Sequence, residues 1–157
     1  MSYKTLAGSL DGAGLRIGVV VSRFNEFITE ALAQGAIATL EKHGCVPENI
    51  TVVKVPGAWE LPIAAKALAS QCDAVIAIGA VVRGDTPHFD YVAAGASNGL
   101  SNVSLQTNVP IAFCVLTTND MQQAMDRAGG KAGNKGSEAA EVAIELANLL
   151  RQLKDRS

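Results

Sequence analysis

Residues Ala74 to Val82 read AVIAIGAVV, nine apolar residues in a row between Asp73 and Arg83. Nothing polar alternates along that run, so it predicts a strand buried on both faces, the situation of a parallel sheet covered by helices. Leu15 to Val21, Ile50 to Val55 and Pro110 to Leu116 are short, β-branched and bounded by polar, Gly or Pro positions, and they read as fully buried strands too. Helical patterns lie between them. Glu26 to His43 places Ile28, Leu32, Ala36 and Leu40 on one stripe and stops at Gly44, a C-terminal cap. Glu60 to Ala69 and Pro87 to about Leu105 follow the second and third strands, and a short helix is predicted over Asp120 to Ala128. A last helix over Ser137 to Leu153 has Ser137 as its N-cap and Ala139, Val142, Ala143, Leu146, Leu150 and Leu153 facing inward.

The order βαβαβαβαα predicts a four-stranded parallel sheet with right-handed crossovers, in a three-layer α/β/α sandwich of flavodoxin-like topology. No linker or internal repeat divides residues 1–157, which read as a single domain. Residues 1–14 carry Gly8, Gly12 and Gly14 with little periodicity and form an N-terminal arm, either loosely held or docked on a neighbour.

Composition narrows the function. A hydrophobic share of 48% against 18% charged excludes disorder. The mean hydropathy of +0.21 exceeds what buried strands alone explain in a small monomer, which points to an oligomer. Net charge is −2 with no basic run, so neither nucleic acid nor an anionic membrane is an expected partner. No stretch reaches the ~18 apolar residues of a membrane span and the first residues lack a signal-peptide layout, so a cytoplasmic location is expected. Cys45, Cys72 and Cys114 are scattered, without CxxC spacing, and read as small buried thiols. With only His43 and His88, no metal site is expected.

Ligands of open α/β sheets bind beyond the carboxyl ends of the strands. Aromatic residues are only 4% of the chain, yet Phe24, Trp59, Phe89 and Tyr91 all follow the first three strands. Two readings are open: a hydrophobic plug over the sheet end, or a stacking platform for a flat heteroaromatic ligand. Familiar nucleotide motifs fail. Gly12-Ala13-Gly14 precedes a strand instead of following one, and in Gly129 to Ser137 (GGKAGNKGS) Asn134 stands where a phosphate loop needs its second glycine.

Arg83-Gly84-Asp85-Thr86-Pro87-His88-Phe89-Asp90-Tyr91 reads as a strand-to-helix turn with a built-in anion site. Thr86 is the expected N-cap and Pro87 the first helical residue, while Gly84 permits close backbone approach. Free amides and the helix dipole would meet a phosphate there. His88, in the same first turn, is open to a structural and to a catalytic reading as a base near neutrality.

Six blocks, in order, resemble the lumazine synthase family: Arg23 to Asn25 (RFN), Pro56 to Pro62 (PGAWELP), Gly79 to Val92 (GAVVRGDTPHFDYV), Ala94 to Leu100 (AGASNGL), Pro110 to Thr118 (PIAFCVLTT) and Arg127 to Gly136 (RAGGKAGNKG). The resemblance implies condensation of 5-amino-6-(D-ribitylamino)uracil with 3,4-dihydroxy-2-butanone 4-phosphate to 6,7-dimethyl-8-ribityllumazine and phosphate, in riboflavin biosynthesis, with no metal or organic cofactor. It implies that Phe24 stacks on the pyrimidine and that Ala58, Trp59, Glu60, Ala80, Val81 and Val82 hold ring and ribityl chain. It implies further that Asp85 and Thr86 bind phosphate through their amides, that Arg127 completes the clamp, and that Phe113 closes the pocket. Phe113 and Arg127 then come from the neighbouring subunit of a homopentamer, and His88 moves protons. Lys135 is a weaker candidate for the phosphate end.

The short connection from Arg127 to Gly136 resembles members that build sixty-subunit shells, and riboflavin synthase is an implied protein partner. Glu60, at a helix start, is equally open to a role as a first-turn acid, and Arg127 to one as a solvated charge. Cys114, Trp59 and Asp85 depart from the commoner residues of the family. A flavin-binding or shell-forming relative with little activity is the competing reading, but it has no need of a proton shuttle or phosphate clamp.

Overall fold

Four apolar runs become the strands of one parallel sheet in the computed structural model, which describes residues 2–155. Met1, Arg156 and Ser157, within the predicted domain, lie outside the described residues. The strands are β1 (Ile17–Ser22), β2 (Ile50–Val55), β3 (Ala74–Val82) and β4 (Ile111–Thr118), in the spatial order β2-β1-β3-β4. The helices are α1 (Glu26–Lys42), α2 (Leu61–Ala69), α3 (His88–Thr107), α4 (Met121–Arg127) and α5 (Lys135–Asp155). This is the flavodoxin-like α/β arrangement that the sequence predicts.

Because successive strand side chains point to opposite faces, the sheet sorts its apolar residues into two cores. Val19 and Val21 of β1, Ile76 and Ile78 of β3, and Cys114 and Leu116 of β4 face α1 and α5. Val20, Val75, Ala77, Val81 and Val115 face α2 and α3. β1 and β3, central in the sheet, are buried throughout apart from the partly exposed Val82.

The expectation of four fully buried strands fails for β2 and in part for β4. They are the sheet edges, and edge residues such as Val52 and Phe113 stay exposed in the single chain. The apolar run alone does not distinguish a central strand from an edge.

The last helix is corrected in two ways. Its cap is Asn134, whose side-chain oxygen accepts the N–H groups of Gly136 (2.8 Å) and Ser137 (3.3 Å), while the Ser137 hydroxyl donates to the carbonyl of Gly35 in α1 at 3.1 Å. Its buried stripe is Ala139, Ala140, Ala143, Ile144 and Ala147; Val142, Leu150 and Leu153 are exposed. Small residues win the inward face because α1 comes close. A Cβ on Gly136 would stand 2.0 Å from the carbonyl oxygen of Leu32, so no larger residue fits that crossing.

The N-terminal arm is docked on its own chain. Asn148 Nδ2 donates to the carbonyls of Ser9 and Asp11, both at 2.9 Å, and Gln152 Nε2 to that of Ala7 at 3.0 Å. Gly8 lies so close to α5 that a Cβ would overlap the backbone of Glu145.

Candidate active site

The carboxyl ends of β1, β2 and β3 open into a cavity of about 720 Å³, within the ~300–1,000 Å³ typical of small-molecule sites. Its aromatic wall is Phe24, Trp59, Phe89 and Tyr91, and its floor includes Ala58, Ala80, Val81 and Val82. Phe24 (69% exposed), Trp59 (60%) and Tyr91 (71%) present their rings to solvent, so they do not form a closed plug. Phe89, at 8%, does enter the core, as the plug reading has it. Trp59 lies against Gly95 of α3, where any side chain would collide with the indole ring.

Asn25 sets the entry to the site. It adopts the left-handed conformation (φ 60°), which asparagine tolerates better than most residues, and its carbonyl accepts the first amides of α1 from Ile28 and Thr29. Its side-chain amide donates to the Ala80 carbonyl at 3.2 Å. Sequence reasoning quoted Asn25 but assigned it no role; an Asn directly after a strand and before a helix was the available signal.

Glu60 serves locally as well as facing the cavity. One carboxylate oxygen accepts the N–H of Gly57 at 2.9 Å while the Glu60 N–H reaches back to the Gly57 carbonyl, closing the turn Ala58–Glu60 ahead of α2. The other oxygen makes no protein hydrogen bond among the described residues.

At the far end, Gly84, Thr86 and His88 line the cavity. Pro87, not Thr86, is the boundary residue of α3: its carbonyl accepts the N–H of Asp90 at 3.0 Å, and the Thr86 hydroxyl caps nothing. The amides of Gly84, Asp85, Thr86 and His88 have no protein acceptor among the described residues. Several unpaired N–H groups at a helix start are chemically suited to a phosphate. His88 and Asp85 are both exposed, and Asp85 lies outside the cavity wall.

Phe113, Arg127 and Lys135 are elsewhere. They line a second cleft, of about 360 Å³, along the free edge of β4, which shares no residue with the first. Arg127 Nη1 donates to the carbonyl of Gln123 at 2.9 Å, and Lys135 pairs with Glu138 at 3.3 Å. Lys131 is a loop charge near Asp126. Cys114 also borders this cleft, but burial pushes its thiol up to about 12, with Glu138 adding to the effect and Lys135 opposing it. Cys45, Cys72 and Cys114 are all free thiols. Among the described residues no group of three or more His, Cys, Asp or Glu could hold a metal, and no helix is long and apolar enough to cross a membrane.

Sheet order and cavity together define a flavodoxin-like α/β protein with an open, aromatic-lined cavity at the strand ends. Residues 14–151 match the family model of 6,7-dimethyl-8-ribityllumazine synthase, and the chain belongs to that family. Its activity is the transferase reaction that forms 6,7-dimethyl-8-ribityllumazine in riboflavin biosynthesis.

Proposed function

We propose that the aromatic cavity binds 5-amino-6-(D-ribitylamino)uracil and that the turn Gly84 to His88 binds 3,4-dihydroxy-2-butanone 4-phosphate. Phe24 stacks on the pyrimidine, Ala58 and Trp59 with Ala80 to Val82 hold its edge, and the free oxygen of Glu60 accepts from ribityl hydroxyls. The amides of Asp85 and Thr86 hold the phosphate, and the Asp85 carboxylate points away from it. His88 takes the proton lost as the amine adds to the ketone, returns protons to the departing oxygens, and so serves imine formation, phosphate loss and ring closure in turn. Two waters and inorganic phosphate leave. Holding the two substrates side by side supplies much of the remaining acceleration. The site residues themselves carry this chemistry, without metal or cofactor.

One observation supports a site made by two chains: Phe113, Arg127 and Lys135 occupy a cleft separate from the one that holds Phe24, Glu60 and His88. A neighbouring copy brings its Phe113 over the pyrimidine and its Arg127 onto the phosphate, with its Lys135 near the same end. The assembly is a homopentamer, either alone or as the unit of a sixty-subunit shell, located in the cytoplasm, with riboflavin synthase as a protein partner.

Mixing tests the shared site. His88→Ala and Arg127→Ala proteins, each impaired alone, are dissociated, combined and reassembled, and lumazine formation is followed by absorbance. Activity above the sum of the two parents is expected, because some interfaces then unite an intact His88 with an intact Arg127. Activity equal to that sum means that each chain works alone.

A further inference from the structure

Arg83 stands between β3 and the phosphate turn and is absent from the cavity wall, yet it makes more contacts than any residue of the turn. Its backbone N–H donates to the Thr118 carbonyl at 2.8 Å, continuing the pairing of β3 with β4. Its Nε donates to Asn119 Oδ1 at 3.1 Å. Its guanidinium lies 4.3 Å from the centre of the Phe89 ring, and Nη1 is 3.6 Å from Asp90 Oδ1. Phe89 and Asp90 directly follow His88 in α3. One side chain therefore spans the turn, from the residue before it to the two residues after it.

Nothing else restrains the turn in the same way. No side chain between Gly84 and His88 forms a hydrogen bond or ion pair among the described residues, and a Cβ on Gly84 would meet nothing within 4 Å. Asn119 is itself held, because its N–H donates to Gln123 Oε1 at 2.8 Å and the Gln123 N–H donates to Asp120 Oδ1 at 2.8 Å. The anchor beyond Arg83 is thus the capped start of α4.

We propose that Arg83 is a positioning residue: by gripping Phe89 and Asp90 on one side and Asn119 on the other, it sets the spacing of the phosphate amides and the aim of His88 without touching substrate. The inference rests on the reading of Gly84 to His88 as the phosphate turn. A planar guanidinium can stack on a ring while donating in two directions, which an ammonium cannot do.

The test uses Arg83→Gln, Arg83→Lys and Asn119→Ala in the assembled protein, with thermal melting to confirm folding. For each, the dissociation constant of inorganic phosphate, the KM for each substrate and kcat are measured. Arg83→Gln is expected to weaken phosphate and raise the KM of the phosphorylated substrate roughly 10-fold, the scale of a lost charge-assisted hydrogen bond, and to lower kcat, with the KM of the pyrimidine unchanged. Asn119→Ala changes no charge and should move the same parameters by about 3-fold, and Arg83→Lys should fall between wild type and Arg83→Gln.

If Lys restores wild-type values and Asn119→Ala has no effect, Arg83 acts through its charge and the positioning role is wrong. If wild type binds phosphate, Arg127→Ala weakens it, and no Arg83 or Asn119 variant does, this inference alone fails. If wild type binds no phosphate, the reading of the turn fails and the inference falls with it.

Discussion

Asn25 Nδ2 donates to the carbonyl of Ala80 across 3.2 Å, joining the chain just after β1 to the carboxyl end of β3 beside the cavity. Asn25→Gly keeps the left-handed backbone but deletes the bond, whereas Asn25→Ala loses the bond and strains the backbone. Unfolding free energy should fall by about 1 kcal/mol in the glycine variant and by about a further 1–2 kcal/mol in the alanine variant. Chemical denaturation compares the two. Equal losses would mean that the left-handed geometry carries no cost here.

Arg127→Ala should chiefly impair use of the phosphorylated four-carbon substrate. Its guanidinium has donors to spare after the bond to Gln123, and deleting a charge-assisted partner of phosphate costs about 2 kcal/mol, roughly a 30-fold loss in kcat/KM. The KM of the pyrimidine should hardly change. Steady-state kinetics with each substrate varied in turn checks the split, and a variant indistinguishable from wild type would make Arg127 a surface charge.

Cys114 should resist alkylation. The thiolate is the reactive form, and burial drives this thiol from 9.0 up to about 12, so at about pH 8 iodoacetamide should label the partly exposed Cys72 well before it. A thiol whose pKa is raised on folding contributes stability that is complete below the unfolded value of 9.0 and is lost as pH climbs towards 12. Peptide mass mapping over time gives the order of labelling, and early modification of Cys114 in folded protein would contradict the burial argument.

Light scattering should return the mass of five copies or of a larger shell built from them. Phe113 and Val142 are exposed along the Arg127 cleft, which the proposed site pairs with the cavity of a neighbouring copy. A monomer that retains full activity would contradict the shared site.

Much of the fold was legible because short apolar, β-branched runs bounded by polar, Gly or Pro positions leave a plain record. Ile50–Val55 and Ala74–Val82 match their predicted bounds, and Glu26–Lys42 ends one residue short of the reading that Gly44 suggested. Helix starts were misplaced where a neighbour outcompeted the local signal. Asn134 took the cap from Ser137 because the Ser137 hydroxyl is committed to Gly35, and Pro87 displaced Thr86 as the boundary of α3.

The exposure of Val142, Leu150 and Leu153 was not readable from their hydropathy. Facing α1 required small side chains, and only the packing of the two helices reveals that. At the candidate site, the gathering of Phe24, Trp59, Glu60, Thr86 and His88 followed from their places after strands, and that of Ala80 from its place near the carboxyl end of β3. The separation of Phe113 and Arg127 from them came in the sequence only through the family resemblance, and that of Lys135 was not foreseen. Arg83 was missed because its partners Phe89, Asp90 and Asn119 meet only once β3 and β4 pair.

That this cavity condenses two substrates with His88 moving the protons is tested most directly by single-turnover rates and substrate binding in wild type and His88→Gln. The variant should fold and bind both substrates, with turnover reduced on the order of 10- to 100-fold, at or below the low end for acid–base catalysis because water can substitute in an amine–ketone condensation. An undiminished rate in His88→Gln would contradict the account and move the proton chemistry to another group or to the substrates.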